Sequence, residues 1–99
     1  MTAFLICDVT VKDNQALQEY LSRSEHTLAQ FGGTFHVQAG DVEVLEGTWS
    51  PTVVIIAEFP SIPAAKSWYN SAAYAPALEI RPAAMERNML IVDGLKTNQ

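Results

Sequence analysis

Two side chains suited to proton transfer stand in strand-forming parts of the sequence. His36 alternates with Phe35 and Val37, so we predict that its side chain points to the opposite face of a strand from theirs. Glu58 ends the most apolar segment of the chain, where burial would make its carboxyl group a proton carrier. We predict His36 and Glu58 as catalytic residues. The alternatives are a hydrogen-bonded interface histidine and a solvated or ion-paired carboxylate at a strand end.

A second group of side chains has the chemistry to hold a small molecule. Trp68, Tyr69 and Tyr74 form the densest aromatic group in the sequence, and Arg81 follows them. A guanidinium group beside aromatic rings can bind a substrate carboxylate through two parallel hydrogen bonds, with phenols orienting it. We therefore predict that these four residues bind substrate.

Other roles stay open for members of this group and for a nearby tryptophan. Arg81 is equally suited to a structural ion pair with Glu58 or Glu79. The helical spacing of Trp68 is typical of a core residue. Trp49 lies in the turn before the third predicted strand, where it either covers a pocket mouth or clamps a partner subunit. We include Trp49 among the predicted substrate-binding residues.

The sequence lacks the motifs of common cofactor, metal and nucleophile sites. It has no P-loop, no G-x-G-x-x-G, no G-x-S-x-G and no H-E-x-x-H. His26 and His36 fall on different predicted elements, so a metal site would need carboxylates from elsewhere. The single cysteine, Cys7, lies within an apolar run and is predicted to be a buried, inert side chain. We expect no metal and no cofactor.

The predicted elements alternate in a recognisable order. Strands are expected at residues 3–9, 32–47, 52–59 and 88–94, and helices at 14–31, 61–70 and 76–80. The main order β, α, β, β, α, β predicts a ferredoxin-like α+β fold, with a four-stranded antiparallel sheet and helices on one face. We expect residues 1–95 to form one domain and residues 96–99 a frayed tail.

The second strand changes its pattern halfway. Its apolar residues fall on odd positions up to Ala39 and on even positions from Val42, which predicts a bulge or narrow hairpin around residues 39–41. The segment after the bulge, residues 42–46, is predicted to form an arm that reaches a partner subunit.

Two strands are apolar on both faces, which predicts that both sides of the sheet are covered. The runs AFLIC and VVIIA show no alternation with polar residues. The helices cover one face only, and the simplest cover for the other is a second copy of the chain. We therefore predict a homodimer that associates through the sheet face.

The net charge and the hydropathy of the chain limit the kinds of partner that it is expected to bind. The net charge is −5 and the pI is about 4.7, with six scattered Lys and Arg residues, which opposes binding to nucleic acid or anionic membrane surfaces. No apolar run is long enough to span a bilayer. The opening MTAFLICDVT lacks the pattern of a signal peptide, so a cytoplasmic location is expected.

Four blocks of sequence together resemble one known family. The blocks GGTFHVQAGDVEVLEGTWSP, VVIIAEFPS, AKSWYNSAAY and LIVDG are similar to those of the domain of unknown function 1330 family. The resemblance implies a dimeric α+β barrel and no settled activity. Its wider superfamily includes cofactor-independent monooxygenases, lactone isomerases and haem-degrading enzymes, an analogy at the level of fold. The chain departs from the family pattern at Thr34, Gln38 and Ala39, where Thr34 replaces a commonly basic residue.

Two functional hypotheses follow from these residues. The first is a dimeric protein that binds a small, carboxylate-bearing molecule between sheet and helices, as an enzyme of proton-transfer, cofactor-independent oxygenase or isomerase type. That pocket is expected to hold roughly 300 Å³ or more, and its lining to include His36, Glu58, Trp68, Tyr69, Tyr74 and Arg81. The second is a non-catalytic dimerisation or stress-accessory module, whose interior is filled by side chains. Whether the protein is an enzyme stays open at this level.

Overall fold

A four-stranded antiparallel sheet with helices on one side forms the molecule. The computed structural model describes residues 2–95. Its elements in chain order are β1 (Ala3–Val11), α1 (Asn14–Ser24), a 3₁₀ turn (Ala29–Phe31), β2 (Thr34–Gln38), β3 (Val53–Phe59), α2 (Ile62–Tyr69), α3 (Ala75–Ala84) and β4 (Met85–Asp93). The strands lie in the order β2-β3-β1-β4. This arrangement confirms the predicted ferredoxin-like α+β fold, while the predicted tail, residues 96–99, lies outside the described residues.

The first two helices begin at capping side chains that the sequence contains. The Asp13 carboxylate accepts a hydrogen bond from the amide of Ala16 at 2.7 Å, and the Ser61 hydroxyl accepts one from Ala64 at 3.1 Å. Each cap satisfies an amide that the first turn of a helix leaves free. Both helix starts therefore follow from local chemistry.

Helix α1 is shorter than predicted. It ends at Ser24, and the chain reaches Gly32 through turns and the short 3₁₀ segment. Gly32 has a φ of 80°, and a side chain on Gly33 would lie 2.3 Å from a methyl carbon of Leu28. The two glycines thus close this connection by a left-handed turn and a close approach to Leu28.

Helix α3 is longer than predicted because Pro82 does not end it. Proline removes one amide donor inside the helix, yet α3 continues to Ala84. The free carbonyl of Pro82 accepts a hydrogen bond from the Lys12 ammonium group at 2.9 Å, and the carbonyl of Pro76 accepts one from the Arg23 guanidinium at 2.8 Å. These tertiary contacts hold α3 in place where propensity alone predicts a break.

The sheet has one face against the helices and one that the helices leave uncovered. In β1 the side chains of Ala3, Leu5, Cys7 and Val9 are buried, and those between them are half-buried. We call the second surface the open face. Strand register places on it Phe4, Ile6, Asp8, Thr10, Thr34, His36, Val37, Val54, Ile56, Glu58, Glu86, Asn88, Leu90 and Val92.

The predicted bulge exists but lies earlier in the chain. The register of β2 shifts between Phe35 and Val37, so His36 is the extra residue, and the predicted site at residues 39–41 is wrong. Strand β2 ends at Gln38, and Ala39 adopts a φ of 63°. The change of pattern marks the end of the strand: residues 39–52 form an irregular arm over the open face, which we call the arm.

Burial of Cys7 makes stability fall with rising pH. Burial, partly offset by the charge of Arg87, raises the pKa of this thiol from 9.0 to about 11. The unfolded thiol ionises first, so its contribution of about 2–3 kcal/mol to the free energy of unfolding is complete below pH 9.0 and lost towards pH 11. We expect urea titrations from about pH 8 to pH 10.5 to show this loss in the parent protein. The Cys7→Ala variant should show a smaller decline over that range, and parallel declines would contradict the assignment.

Candidate functional site

Three polar side chains meet on the helix side of the sheet. Tyr20 comes from α1, Tyr74 from the residue before α3, and Arg87 from β4. The two phenol oxygens share a hydrogen bond at 2.5 Å, and Nη1 of Arg87 donates to Tyr20 at 2.9 Å and to Tyr74 at 3.2 Å. We call these three residues the Arg87 cluster. It joins two helical segments to the edge strand through one guanidinium nitrogen.

The Arg87 cluster holds a positive charge that no described carboxylate neutralises. The salt bridges among residues 2–95 do not include Arg87. Burial opposes its charge, but the oxygens of Tyr20 and Tyr74 outweigh burial and raise the pKa of Arg87. Burial also raises the pKa of Tyr74, so this phenol stays neutral and able to donate. The cluster therefore places a cation beside two phenol groups, of which Tyr74 is held neutral.

An apolar cavity of about 300 Å³ lies beside this cluster. Its lining consists of Val9, Val11, Leu17, Tyr20, Leu21, Gln38, Ala39, Val53, Ile55, Met85 and Arg87. A smaller cavity of about 60 Å³ shares Tyr20, Gln38 and Arg87 with it and extends towards Trp68. We call the larger one the helix-side cavity.

The remaining donors of Arg87 are accessible. Its Nε and Nη2 atoms hold no hydrogen bond to another described residue. Yet within residues 2–95 no buried side-chain nitrogen or oxygen lacks a partner. The Nε and Nη2 atoms of Arg87 must therefore have solvent-accessible surface. Arg87 is part of the lining of both cavities. A guanidinium edge with unused donors is a suitable partner for a carboxylate or another oxyanion.

The open face carries a separate pair, formed by His36 and Glu58. The His36 Nε2 and Glu58 Oε1 atoms are 2.7 Å apart. An ionised carboxylate can only accept hydrogen bonds, so towards such a carboxylate Nε2 of His36 is the donor. The ring of Phe4 lies 6.4 Å from that of His36. The bulge in β2 is what places His36 on this face.

The arm crosses the open face and is attached to it by a second polar contact. The indole nitrogen of Trp49 donates to the carboxylate of Asp8 at 2.9 Å, although the Trp49 side chain is 61% exposed. Between arm and sheet lies a broad hollow of about 590 Å³, lined on the sheet by Ile6, Val37, Val54 and Ile56. At its far side Leu45 is 94% exposed.

The structure separates the residues that the sequence suggested for one pocket. His36 and Glu58 lie together on the open face, with Trp49 above the same face. Trp68, Tyr69 and Tyr74 lie together on the helix side, with the rings of Trp68 and Tyr74 4.1 Å apart. The sheet stands between the two groups, so a single pocket between sheet and helices cannot contain them all.

Arg81 and Trp68 occupy structural positions. The Arg81 guanidinium donates to the carbonyl of Met85 at 3.3 Å, and Arg81 is not among the residues that line the helix-side cavity. Trp68 is buried, and its indole nitrogen donates to the hydroxyl of Thr27 at 3.0 Å. Tyr69 is partly exposed at the edge of the aromatic group.

Tyr20 and Arg87 were missed as site residues. Their signal is present in the sequence: Arg87 alternates with Met85, Met89 and Ile91, so a charged residue stands on the buried face of β4. A buried arginine needs polar partners, and tyrosines on the facing helices are suitable ones.

Among residues 2–95 no group of three or more His, Cys, Asp and Glu side chains is arranged to hold a metal ion. None of the helices in the described part of the chain has the length and apolar character needed to cross a membrane.

Comparison with known proteins identifies the family and the fold. The structure is similar to that of a protein of unknown function from Rhodopseudomonas palustris, at 21% identity over 97% of this chain and 84% of that one, with a TM-score of 0.76. SnoaB, a cofactor-independent oxygenase from Streptomyces nogalater, gives 15% identity over 97% and 95% of the two chains and a TM-score of 0.65. A dimeric protein of unknown function with a ferredoxin-like fold from Bacteroides fragilis gives 10% identity over 94% and 96%, with a TM-score of 0.61. No curated protein matches the sequence. The model of the domain of unknown function DUF1330 matches residues 2–95, and this chain therefore belongs to that family.

Proposed function

We propose that this protein is a homodimer that binds a small organic anion in the helix-side cavity, with Arg87 as the residue that holds the negative charge. The single observation that supports the binding proposal most strongly is the unneutralised guanidinium with unused donors in the wall of an apolar cavity. Such a combination of apolar walls and one well-placed charged group is typical of ligand sites.

The homodimer is supported by the apolar character of the open face. Leu90 is 54% exposed, and Val92, Ile6 and Ile56 also contribute to this surface. The molecule measures 48 × 39 × 16 Å, so its broad face is ample for the roughly 800 Å² that each partner contributes to a standard interface. The similar Bacteroides fragilis protein is described as dimeric. A second copy would remove this apolar surface from water.

The form of the cavity favours an aromatic or aliphatic carboxylate, enolate or phenolate. A volume of about 300 Å³ lies at the lower end of ligand pockets, and its walls are mostly Val, Leu and Ile side chains. Compact, strongly hydrated anions lose more solvation in such a site than an organic anion with one charged end. The ligand would place its oxygens against Arg87 and its apolar part towards Leu17 and Val53.

The chemistry of this site is stabilisation of negative charge. Within residues 2–95 the lining of the helix-side cavity contains no carboxylate or imidazole, and Tyr74 is held in its neutral form. The Arg87 cluster therefore favours an anion that the substrate forms, as an oxyanion-binding group does. This is compatible with a cofactor-independent oxygenase or isomerase type of reaction on a substrate acidic enough to ionise by itself. The similarity to SnoaB supports that extension at the level of fold alone.

The binding proposal is tested with benzoate and its neutral analogue benzamide as probes, by calorimetry and by NMR titration. We expect benzoate to bind and benzamide to bind at least about tenfold more weakly, because only benzoate offers a negative charge and two acceptor oxygens to the Arg87 guanidinium. Arg87→Gln should weaken benzoate binding about 10- to 100-fold. Arg81→Gln is the matched control and should leave it unchanged.

A further variant keeps the proposal testable if the Arg87→Gln variant does not fold. Arg87→Lys keeps the charge next to the two phenols but loses the planar fork, so it should fold and bind benzoate with intermediate affinity. Equal affinity for benzoate and benzamide, or equal loss in the Arg81 and Arg87 variants, would contradict the proposal.

A non-catalytic dimerisation module is the second candidate function. It is favoured by the extent of the open face and by Leu45, whose side chain is almost fully exposed on the arm. For this candidate we expect a stable dimer with no benzoate binding, which the same titration distinguishes.

A further inference from the structure

The open face has an unusual distribution of charge. Its strands carry the carboxylates of Asp8, Glu58 and Glu86, and the arm adds three more, Asp41, Glu43 and Glu46. Over the open-face positions and the arm, within the described residues, there is no Lys or Arg, and His36 is the only basic side chain. Two copies that associate through this surface bring like charges together, which costs free energy.

We infer that protonation of His36 controls association of two copies through the open face. This inference rests on the homodimer proposed above and adds its regulation. His36 is the one imidazole among the described residues of the open face and the arm, and imidazole is the side-chain type whose change of charge ordinarily falls between pH 5 and 8. Each proton taken up there lowers the net negative charge of this surface. The electrostatic repulsion between the two copies falls with it.

The geometry of the His36–Glu58 pair supports this role. The bulge brings His36 Nε2 to 2.7 Å from Glu58, while their side chains are 48% and 35% exposed in the single chain. A partner that covers the face would remove them from water. Burial of a neutral imidazole beside an ionised carboxylate isolates a negative charge, whereas an imidazolium and a carboxylate together are neutral. Covering the pair therefore favours the protonated form.

Few other charges act on His36 from the elements around it. Strand β1 presents Phe4, which is apolar, and strand β3 presents Glu58 itself. Asp8 accepts a hydrogen bond from the Trp49 indole. The arm adds the carboxylates of Asp41, Glu43 and Glu46 to the same surface. Apart from His36, the charged side chains described on this face and on the arm are thus all carboxylates.

The direction in which pH changes the dimer affinity follows from this preference for the protonated form. If the dimer binds a proton at His36 more tightly than the monomer does, association takes up protons, and lowering the pH strengthens it. We expect the dimer dissociation constant to fall about tenfold or more between about pH 8 and about pH 6.

Sedimentation equilibrium of the full chain at these two pH values tests the inference. His36→Gln keeps a hydrogen-bond donor near Glu58 but cannot gain charge, so its dissociation constant should change less than about threefold. His26→Gln is the matched control: His26 is exposed and lies beside Glu25 on the helix side of the molecule, and this variant should keep the full pH response.

Each outcome has a definite meaning. A dimer whose affinity is independent of pH, or a His36→Gln variant that keeps the parent response, would overturn the role of His36. A monomer at every pH and concentration would overturn the proposed homodimer itself. A response retained by the His26 variant and lost in the His36 variant would support the inference.

Discussion

Leu90→Asp is expected to convert the proposed dimer into a folded monomer. Leu90 lies opposite Ile6, midway along the edge strand β4 on the open face, and is 54% exposed in the single chain. The monomer therefore loses little when it is replaced, whereas a two-fold dimer would have to bury two unpaired carboxylates. Each such group costs several kcal/mol when it is desolvated without a partner. We expect dimer affinity to fall by about 1,000-fold or more.

The measurement is sedimentation velocity together with circular dichroism and thermal unfolding. Ala72→Asp adds the same charge at an exposed turn on the helix side and should remain dimeric. If Leu90→Asp sediments as the parent protein does, the open face is not the interface. If both variants dissociate, the loss comes from net charge, and the surface-specific interpretation is wrong.

Tyr74→Ala should have the largest effect on stability. Tyr74 has no exposed surface, and its ring packs against Trp68, Tyr20 and Tyr69. Removal of a buried aromatic ring leaves a cavity and costs about 3–5 kcal/mol. The variant also leaves Tyr20 and Arg87 with one partner fewer. A small domain has only about 5–15 kcal/mol of stability, so this variant should be close to unfolding at 37 °C.

Tyr74→Phe separates packing from hydrogen bonding. It keeps the ring and removes only the hydroxyl that Tyr20 and Arg87 contact, so we expect a loss of about 1–3 kcal/mol. Urea unfolding of both variants measures the two terms. Equal losses would mean that the hydroxyl contributes most of the effect of Tyr74. No loss in the phenylalanine variant would show that the Tyr74 hydroxyl adds no net stability through its contacts with Tyr20 and Arg87.

The fold could be predicted because its signals are local and repeated. The caps at Asp13 and Ser61 and the apolar runs in β1 and β3 each indicate one element without reference to the others. Apolar residues on both sides of these strands also indicated a second face to be covered. Helix boundaries were less predictable, since the contact of Lys12 with the Pro82 carbonyl joins residues far apart in the chain.

The candidate site was less accessible to sequence reasoning. The choice of Arg81 rested on its position after the aromatic group, but the chain turns at Met85 and brings Arg87 to the tyrosines. Likewise, the bulge lies at His36 because pairing with β3 sets the register, and the pattern of apolar residues does not contain that information. Both facts depend on contacts between distant segments.

Ala39 lies where the wall of the helix-side cavity continues into the arm. Gln38 and Ala39 are part of that wall, and Ala39 is also the first residue of the arm above the open face. Ala39 adopts the left-handed conformation, with a φ of 63°, which residues with a side chain seldom adopt. A change in its backbone angles would alter the cavity wall and the start of the arm together. The cavity and the open face therefore cannot be redesigned independently of each other at this position.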